Sequence, residues 1–278
     1  MADLFRHIRR CNTAPDPALL VPFRIGTAQV GWLGREVARL LTFFPQHVHF
    51  DAHGARLAGR NPDGALEVLA AAVVRAGLAA KLRGELYDVR ETPEGRVLAR
   101  LDRGVVPAFS VRAQGVHVNG LVRRADGLHV WVATRARDKA VAPGQFDHIV
   151  AGGVPAGLSP EETLVKEAAE EAAIPGELAL TARPVARIAY AMGVGDGLRV
   201  DLLHCYDLDL PENFTPRPND DEVEGFALWP IGRVLESVRT TDDWKFNVPL
   251  VLIDLFLRLG LVDPASAEGK RLREGLAG

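Results

Sequence analysis

The sequence predicts an α/β sandwich around a mixed sheet, preceded by a smaller α+β unit. Three observations carry this. Strand-like and helix-like segments interleave without regular βαβ repetition. The rhythm changes after Pro107, where two β-rich runs within 115–136 flank Asp126–Gly127, a strong hairpin signal. Two helical stretches then close the ordered part of the chain. The expected division is a small α+β unit over 1–112, an α/β unit over 113–262 and a frayed tail over 263–278.

In the first unit, residues 1–20 contain Pro15 and Pro17 and read as an arm or short helix with a loose end. "GWLGREVARLLTFFP" (31–45) has apolar residues at helical spacing and stops at Pro45. "HVHF" (47–50) alternates like a strand. "PDGALEVLAAAVVRAGL" (62–78) repeats the helical period, with Asp63 as N-cap and Gly77 as the stop. "GELYDVRE" and "RVLARLDR" are two strands around a turn at Pro93–Gly95.

In the second unit, "FDHIVAGG" is one short strand after the hairpin, and a Glu-bearing helix follows it. "PVARIAYAMG" and "RVDLLHCYDLDL" are strands around the glycine-rich turn 193–197, and "EVEGFALWP" is another. "PIGRVLESVR" and "NVPLVLIDLFLRLGL" are the final helices.

A net charge of −3 argues against a general nucleic-acid binder and leaves room for a cation to bridge an acidic site to an anionic ligand. Two cysteines without CxxC spacing exclude a disulfide framework and a zinc finger, and they fit a reducing cytoplasm. No apolar run follows the basic start, and none reaches the length of a membrane span. The expectation is a cytoplasmic protein acting on a small molecule, with neither nucleic acid nor membrane as partner.

The stretch "AGGVPAGLSPEETLVKEAAEEAAIP" (151–175) carries the chemistry. Ser159 is the N-cap, Pro160 sits at N1, Glu162 completes a capping box, and Pro175–Gly176 ends the helix. At helical spacing Val165, Ala168, Ala169 and Ala172 share an apolar face, and Glu167, Glu170 and Glu171 share a stripe turned away from it. Like charges at these spacings destabilise a helix by roughly 0.2–0.5 kcal/mol per pair. A hard divalent cation offsets that repulsion, and Mg²⁺ completes its shell with water and substrate phosphate. The glycines before the helix let backbone approach the same place.

These residues resemble the box of the Nudix hydrolases, Gly-x5-Glu-x7-Arg-Glu-U-x-Glu-Glu-x-Gly-U, where U is bulky and apolar. Counted from Gly152, the pattern matches Glu167, Glu170, Glu171 and Ile174. It departs at Leu158 for Glu, Lys166 for Arg, Ala168 for a bulky residue and Ala173 for Gly. "PGQFDHIVAGGVPAGLSP", "GVHVNG", "YDLDLPENFTPRPNDDEVEGF" and "WKFNVPLVLIDLFLRLG" are similar to a Nudix subgroup with an extra N-terminal domain. That subgroup includes the Nudix part fused to thiamine pyrophosphokinase in some fungi, and related plant proteins. Asp221 stands where Gly is expected and His148 where Asn is usual.

The resemblance implies a Nudix α/β/α sandwich and a diphosphatase using Mg²⁺ or Mn²⁺. Glu167, Glu170 and Glu171, with a Gly152 or Gly153 carbonyl, would hold the metal. It implies a substrate among thiamine diphosphate and its damaged oxo and oxy analogues, cleaved to a monophosphate and phosphate. One of the three glutamates, or Glu222, would accept the proton of the attacking water. The resemblance implies that a glutamate before this strand completes the metal site or handles the attacking water, a role that suits Glu222 better than Glu224; the plainer reading of both is charge on an exposed edge strand.

His117, Asn119, Lys166, Lys245 and Asn247 are candidate substrate contacts. His47, His49 and His53 lack a clear further zinc ligand and read as strand and loop histidines. "GVGDG" (193–197) lies between strands and reads as a hairpin, not a dinucleotide loop. Neither Gly-x-Ser-x-Gly nor His-Glu-x-x-His occurs. Three alternatives stay open: a pyrophosphatase of ADP-ribose-like compounds, an isopentenyl-type diphosphate isomerase, and a non-catalytic Nudix-like binding module. The isomerase needs a reactive cysteine, whereas Cys205 reads as a buried thiol in a strand.

Overall fold

The computed structural model describes residues 3–138 and 141–277. Helix α1 (Phe5–Cys11) is followed by β1 (Val21–Ile25), β2 (Ala28–Leu33), α2 (Arg35–Leu41), β3 (Val48–Asp51), β4 (Gly54–Leu57) and α3 (Pro62–Arg75). The four strands form a sheet ordered β2-β1-β4-β3. A separate antiparallel pair, β5 (Leu86–Val89) and β6 (Ala99–Asp102), precedes the short helix α4 (Val106–Phe109). Phe23, Leu33, Leu41, Leu69, Val89 and Phe109 lie in one shared core.

Two local expectations are corrected here. The helix expected over 31–45 begins only at Arg35. Gly31–Leu33 pair instead with Val21–Phe23, so strand hydrogen bonding takes residues whose apolar spacing also suits a helix. The cap of α3 is Asn61, which accepts the Gly64 N–H at 3.1 Å, whereas Asp63 accepts the Arg100 N–H at 2.8 Å.

The second unit opens with β7 (Arg112–Arg124) and β8 (Gly127–Arg135), the expected hairpin, with Gly127 at φ 126°. The stretch expected as one strand is two, β9 (Phe146–His148) on β8 and β10 (Val150–Gly153) on β7. Then come α5 (Pro160–Ala172), α6 (Gly176–Ala179), β11 (Arg183–Val194), β12 (Gly197–Asp209), β13 (Val223–Pro230), α7 (Ile231–Thr240), α8 (Val248–Arg258) and α9 (Ala267–Ala277). The main path of the sheet is β11-β12-β7-β8-β13, mixed because β12 runs parallel to β7.

Alternation along β7 assigns the two faces. Val116 and Val118 pack with Leu164, Ala168 and Ala172 of α5. Leu121 joins the core on the opposite face, formed with α7 and α8. The result is the α/β/α sandwich the sequence implied.

The tail expected to fray is α9. Its Leu272 is fully buried in a core with Leu4 and Ile8, and Arg239 holds Glu268 through two bonds of 2.8 and 3.0 Å. Helix α1 therefore packs with the second unit, although it precedes the first in the chain. "GVGDG" is a hairpin turn, and it also joins the units. Asp196 accepts the Val37 N–H at 2.8 Å, capping α2, whose own N-cap position is Gly34. A Cβ on Gly34 would stand 1.6 Å from the Asp196 carbonyl oxygen. Among the described residues, no helix is long and apolar enough to cross a membrane.

Candidate active site

Helix α5 starts as its sequence dictates. Ser159 Oγ accepts the Glu162 N–H at 3.1 Å, and the Glu162 carboxylate accepts the Ser159 N–H at 2.8 Å. It ends at Ala173, whose φ of 52° is left-handed. This is the position where the box has glycine, and the backbone keeps the conformation glycine would favour.

The buried face of α5 differs from the expected one. Ala169 is exposed, and Leu164, Ala168, Ala172 and Glu171 are buried. Close packing of alanines against the sheet brings the last glutamate inside, so the acidic stripe is spread from core to solvent. Glu171, 4% exposed, accepts the Ala151 N–H of β10 at 2.8 Å. Burial pushes its pKa well up, as do the charges of Asp147 and Glu167, against the Ala151 bond and Lys245. Glu167 is half-buried against Gly152, and burial raises its pKa too. Lys166 opposes that shift, while Glu170 and Glu222 add to it. Glu170 is exposed. Lys166 bridges Glu170 at 2.6 Å and Glu167 at 3.1 Å.

Lys166, Glu167 and Glu170 border a cavity of about 500 Å³ between the two units, and buried Glu171 is outside its lining. Gly152, Gly153, Lys166, Glu167, Glu170 and Glu222 line it, and so do His117, Lys245 and Asn247. Gly152 lies close beneath Glu167, since a Cβ there would stand 2.5 Å from Glu167 Cδ. Glu222 is near enough to Glu167 to raise its pKa.

Asn119 is not in the cavity. It is fully buried and donates to Asp207 at 2.8 Å, and Asp207 is gripped by Arg258 at 2.6 Å. The candidate substrate contact at Asn119 is therefore corrected to a structural hydrogen bond. Glu224 faces Arg137, 3.6 Å away, outside the cavity lining. His49 and His53 are exposed, and His47 is partly so.

Behind the cavity lies a buried polar network. Asp147 is held by Arg135 at 2.8 Å and Lys245 at 3.0 Å. Burial alone would raise the Asp147 pKa, but Lys245 and Arg135 outweigh it and hold the carboxyl far below its usual range. His117 and His148 meet at Nδ1···Nδ1 3.0 Å, and Asn247 Nδ2 lies 3.4 Å from His117 Nε2. Burial depresses both histidines, His148 to about 4, so both are neutral at pH 7.

Two donor sets can be weighed for a divalent cation. Among the described residues, His117, Asp147 and His148 are the group of three whose ligand atoms lie within 4.8 Å of one another. Its single anion is already paired with two cations, which disfavours a third. Glu167, Glu170 and Glu171 do not close to that spacing, because Lys166 holds two of them and Ala151 the third. Their chemistry nevertheless fits a hard cation: oxygen donors in excess of nearby base, two with raised pKa values, beside a glycine cradle that a Cβ would fill.

Sequence reasoning missed Tyr87 and Arg103 of the first unit and Arg199 and Asp201 of β12, which also line the cavity. No motif marks them. Tyr87 and Arg103 reach it only because the β5–β6 pair lies against the loop after β10, where the Ala156 N–H donates to the Leu86 carbonyl at 2.7 Å.

Comparison with known proteins adds a family. The NUDIX domain model matches residues 113–248. A second, described as a domain of unknown function (DUF4743), matches residues 3–113. The chain is 33% identical to Nudix hydrolase 20, chloroplastic, of Arabidopsis thaliana, over 96% of this chain and 75% of that protein. It is 32% identical to Nudix hydrolase 24, chloroplastic, of the same plant, over 99% of this chain and 79% of that protein. A Deinococcus radiodurans protein of known crystal structure is 20% identical, with a TM-score of 0.47 over 60% of this chain and 97% of that one. The expected cytoplasmic location is overturned, since both plant relatives are named chloroplastic. Unpaired cysteines report a reducing environment, which is not unique to the cytoplasm.

Proposed function

The chain belongs to the Nudix family, and from that premise we propose that it is a divalent-metal-dependent diphosphatase, cleaving an organic diphosphate to a monophosphate and phosphate. The observation that carries the reading is the wall formed by Glu167, Glu170 and Glu222 over Gly152, in a cavity that also presents basic side chains.

Glu167 and Glu170, with Glu171 behind them and a Gly152 or Gly153 carbonyl, would hold Mg²⁺ or Mn²⁺. When bound, such an ion supplies positive charge that offsets the diphosphate oxygens and the charge developing on phosphorus. Lys166 pairs with both Glu167 and Glu170 and opposes the rise in the Glu167 pKa, a task its point charge can do without the guanidinium fork of the box arginine. Glu167 or Glu222, which line the same cavity and influence each other's charge, would accept the proton of the attacking water. A carboxylate of raised pKa is the better base for that step. Lys245, His117 and Asn247 join the buried network to the cavity lining, where Lys245 would offer charge and neutral His117 and Asn247 would offer hydrogen bonds.

The organic group we propose is thiamine or its oxo and oxy forms, a reading supported by the sequence resemblance alone. The isomerase alternative loses its reagent in the structure. Cys205 is buried in the core on the α8 side, and burial pushes its thiol pKa up.

The test is a panel of thiamine, oxythiamine and ADP-ribose diphosphates assayed with Mg²⁺ and Mn²⁺. Metal-dependent phosphate release from a thiamine compound supports the proposal. Cleavage of ADP-ribose alone would move the substrate to nucleotides. Isomerised diphosphate without phosphate, or binding without turnover, would overturn the hydrolase.

A further inference from the structure

We propose that Tyr87 and Arg103, both carried by the first unit, form a second wall of the cavity and bind oxygens of the substrate's diphosphate from the side facing the glutamates. The inference rests on the diphosphatase reading for the identity of the ligand.

Tyr87 lies on β5, opposite Leu101 of β6. It is 6% exposed, and its hydroxyl has no hydrogen-bond partner among the described residues. The hydroxyl is not among the fully buried atoms that lack a partner, so it opens onto the cavity and its O–H is available to donate to a ligand. The hydroxyl is seated on the loop that leads to the glutamates: a Cβ on Gly153 would stand 1.7 Å from Tyr87 Oη. Gly153 is thus the residue that lets a side chain from the first unit reach the centre of the second. The phenol lines the same cavity as Glu167.

Arg103 stands beside it, its guanidinium carbon 5.9 Å from the Tyr87 ring centroid. Its Nη1 holds Glu85 at 2.7 Å, which leaves further N–H donors of the planar fork for a ligand. Glu222, on the other wall, is close enough to contribute to the charge balance of Arg103. A guanidinium and a phenol together present donors to an oxyanion, and a diphosphate is the oxyanion the cavity is proposed to receive. The first unit then becomes part of the active site, closing it over the ligand.

The test measures binding of methylenediphosphonate, a non-hydrolysable diphosphate, by calorimetry with Mn²⁺ present, alongside kcat, KM and Tm. Tyr87→Phe keeps the ring and removes one donor. It should weaken probe binding about tenfold and raise KM, with kcat within about twofold of wild type and Tm unchanged. Arg103→Gln should weaken binding further, and Arg103→Lys should restore part of it. If Tyr87→Phe binds the probe within about twofold of wild type, the second wall is overturned, whatever Arg103→Gln does. Should wild type hydrolyse no diphosphate while Tyr87→Phe still loses the probe, the hydrolase reading fails and the wall stands. Should wild type hydrolyse and Tyr87→Phe bind as wild type does, the wall fails and the hydrolase stands.

Discussion

In Gly152→Ala the added Cβ would stand 2.5 Å from Glu167 Cδ and 2.6 Å from its Cγ. Carbon atoms settle about 3.5–4.0 Å apart, so the Glu167 side chain must retreat by about 1 Å. Gly152 is not among the glycines with positive φ, so alanine suits its backbone, and its pairing with Val116 in β10 needs no change. The perturbation therefore falls on one carboxylate. A misplacement of about 1 Å costs on the order of 100-fold in rate, equivalent to about 2.7 kcal/mol of transition-state stabilisation. The assay is kcat at saturating metal and substrate, with urea denaturation as the control. We expect kcat to fall by about 100-fold while the unfolding free energy changes by less than about 1 kcal/mol. A Gly152→Ala protein with wild-type kcat would refute the placement of Glu167 in the reaction.

Lys166→Met removes the cation that opposes the burial of Glu167, so the Glu167 pKa rises further and the acid limb of kcat/KM moves to higher pH; an unmoved limb contradicts this. The linked sign for the metal-free protein follows. Because Glu167 is raised in the folded state, the fold holds its proton more tightly than the unfolded chain does. Stability therefore declines as pH rises from the unfolded value through the folded one, and Lys166→Met steepens the decline in urea titrations. Ala173→Gly relieves a left-handed residue at the end of α5 and should stabilise the metal-free protein by about 0.5–1 kcal/mol in urea denaturation; a loss of stability contradicts that.

Local signals survived into the structure where the chemistry is local. The Ser159–Glu162 capping box, the Asp126–Gly127 hairpin and the α/β/α layering were legible because caps, turns and periodicity act within a few residues. The helix expected over 31–45 shows the converse: Gly31–Leu33 suit two periodicities, and a distant partner, β1, decides between them. The candidate site divides the same way. Spacing brought Glu167 and Glu170 to the cavity, but the inward turn of Glu171 depends on which face of α5 meets the sheet. Asn119 shares the GVHVNG segment with His117, the ground for naming both as candidate contacts, yet it donates to Asp207 and stays outside the cavity lining, because its neighbours are set by β12 and α8. Tyr87 and Arg103 reach the site through packing between units, which carries no signature in one chain.

Manganese binding tests the central claim most directly, followed by electron paramagnetic resonance of the free ion on wild type, Glu167→Gln, Glu170→Gln and His148→Gln. The account predicts that wild type and His148→Gln bind the ion alike and that both glutamate variants bind it at least tenfold more weakly. Binding lost in His148→Gln and kept in the glutamate variants would place the ion at the buried histidines and contradict the account.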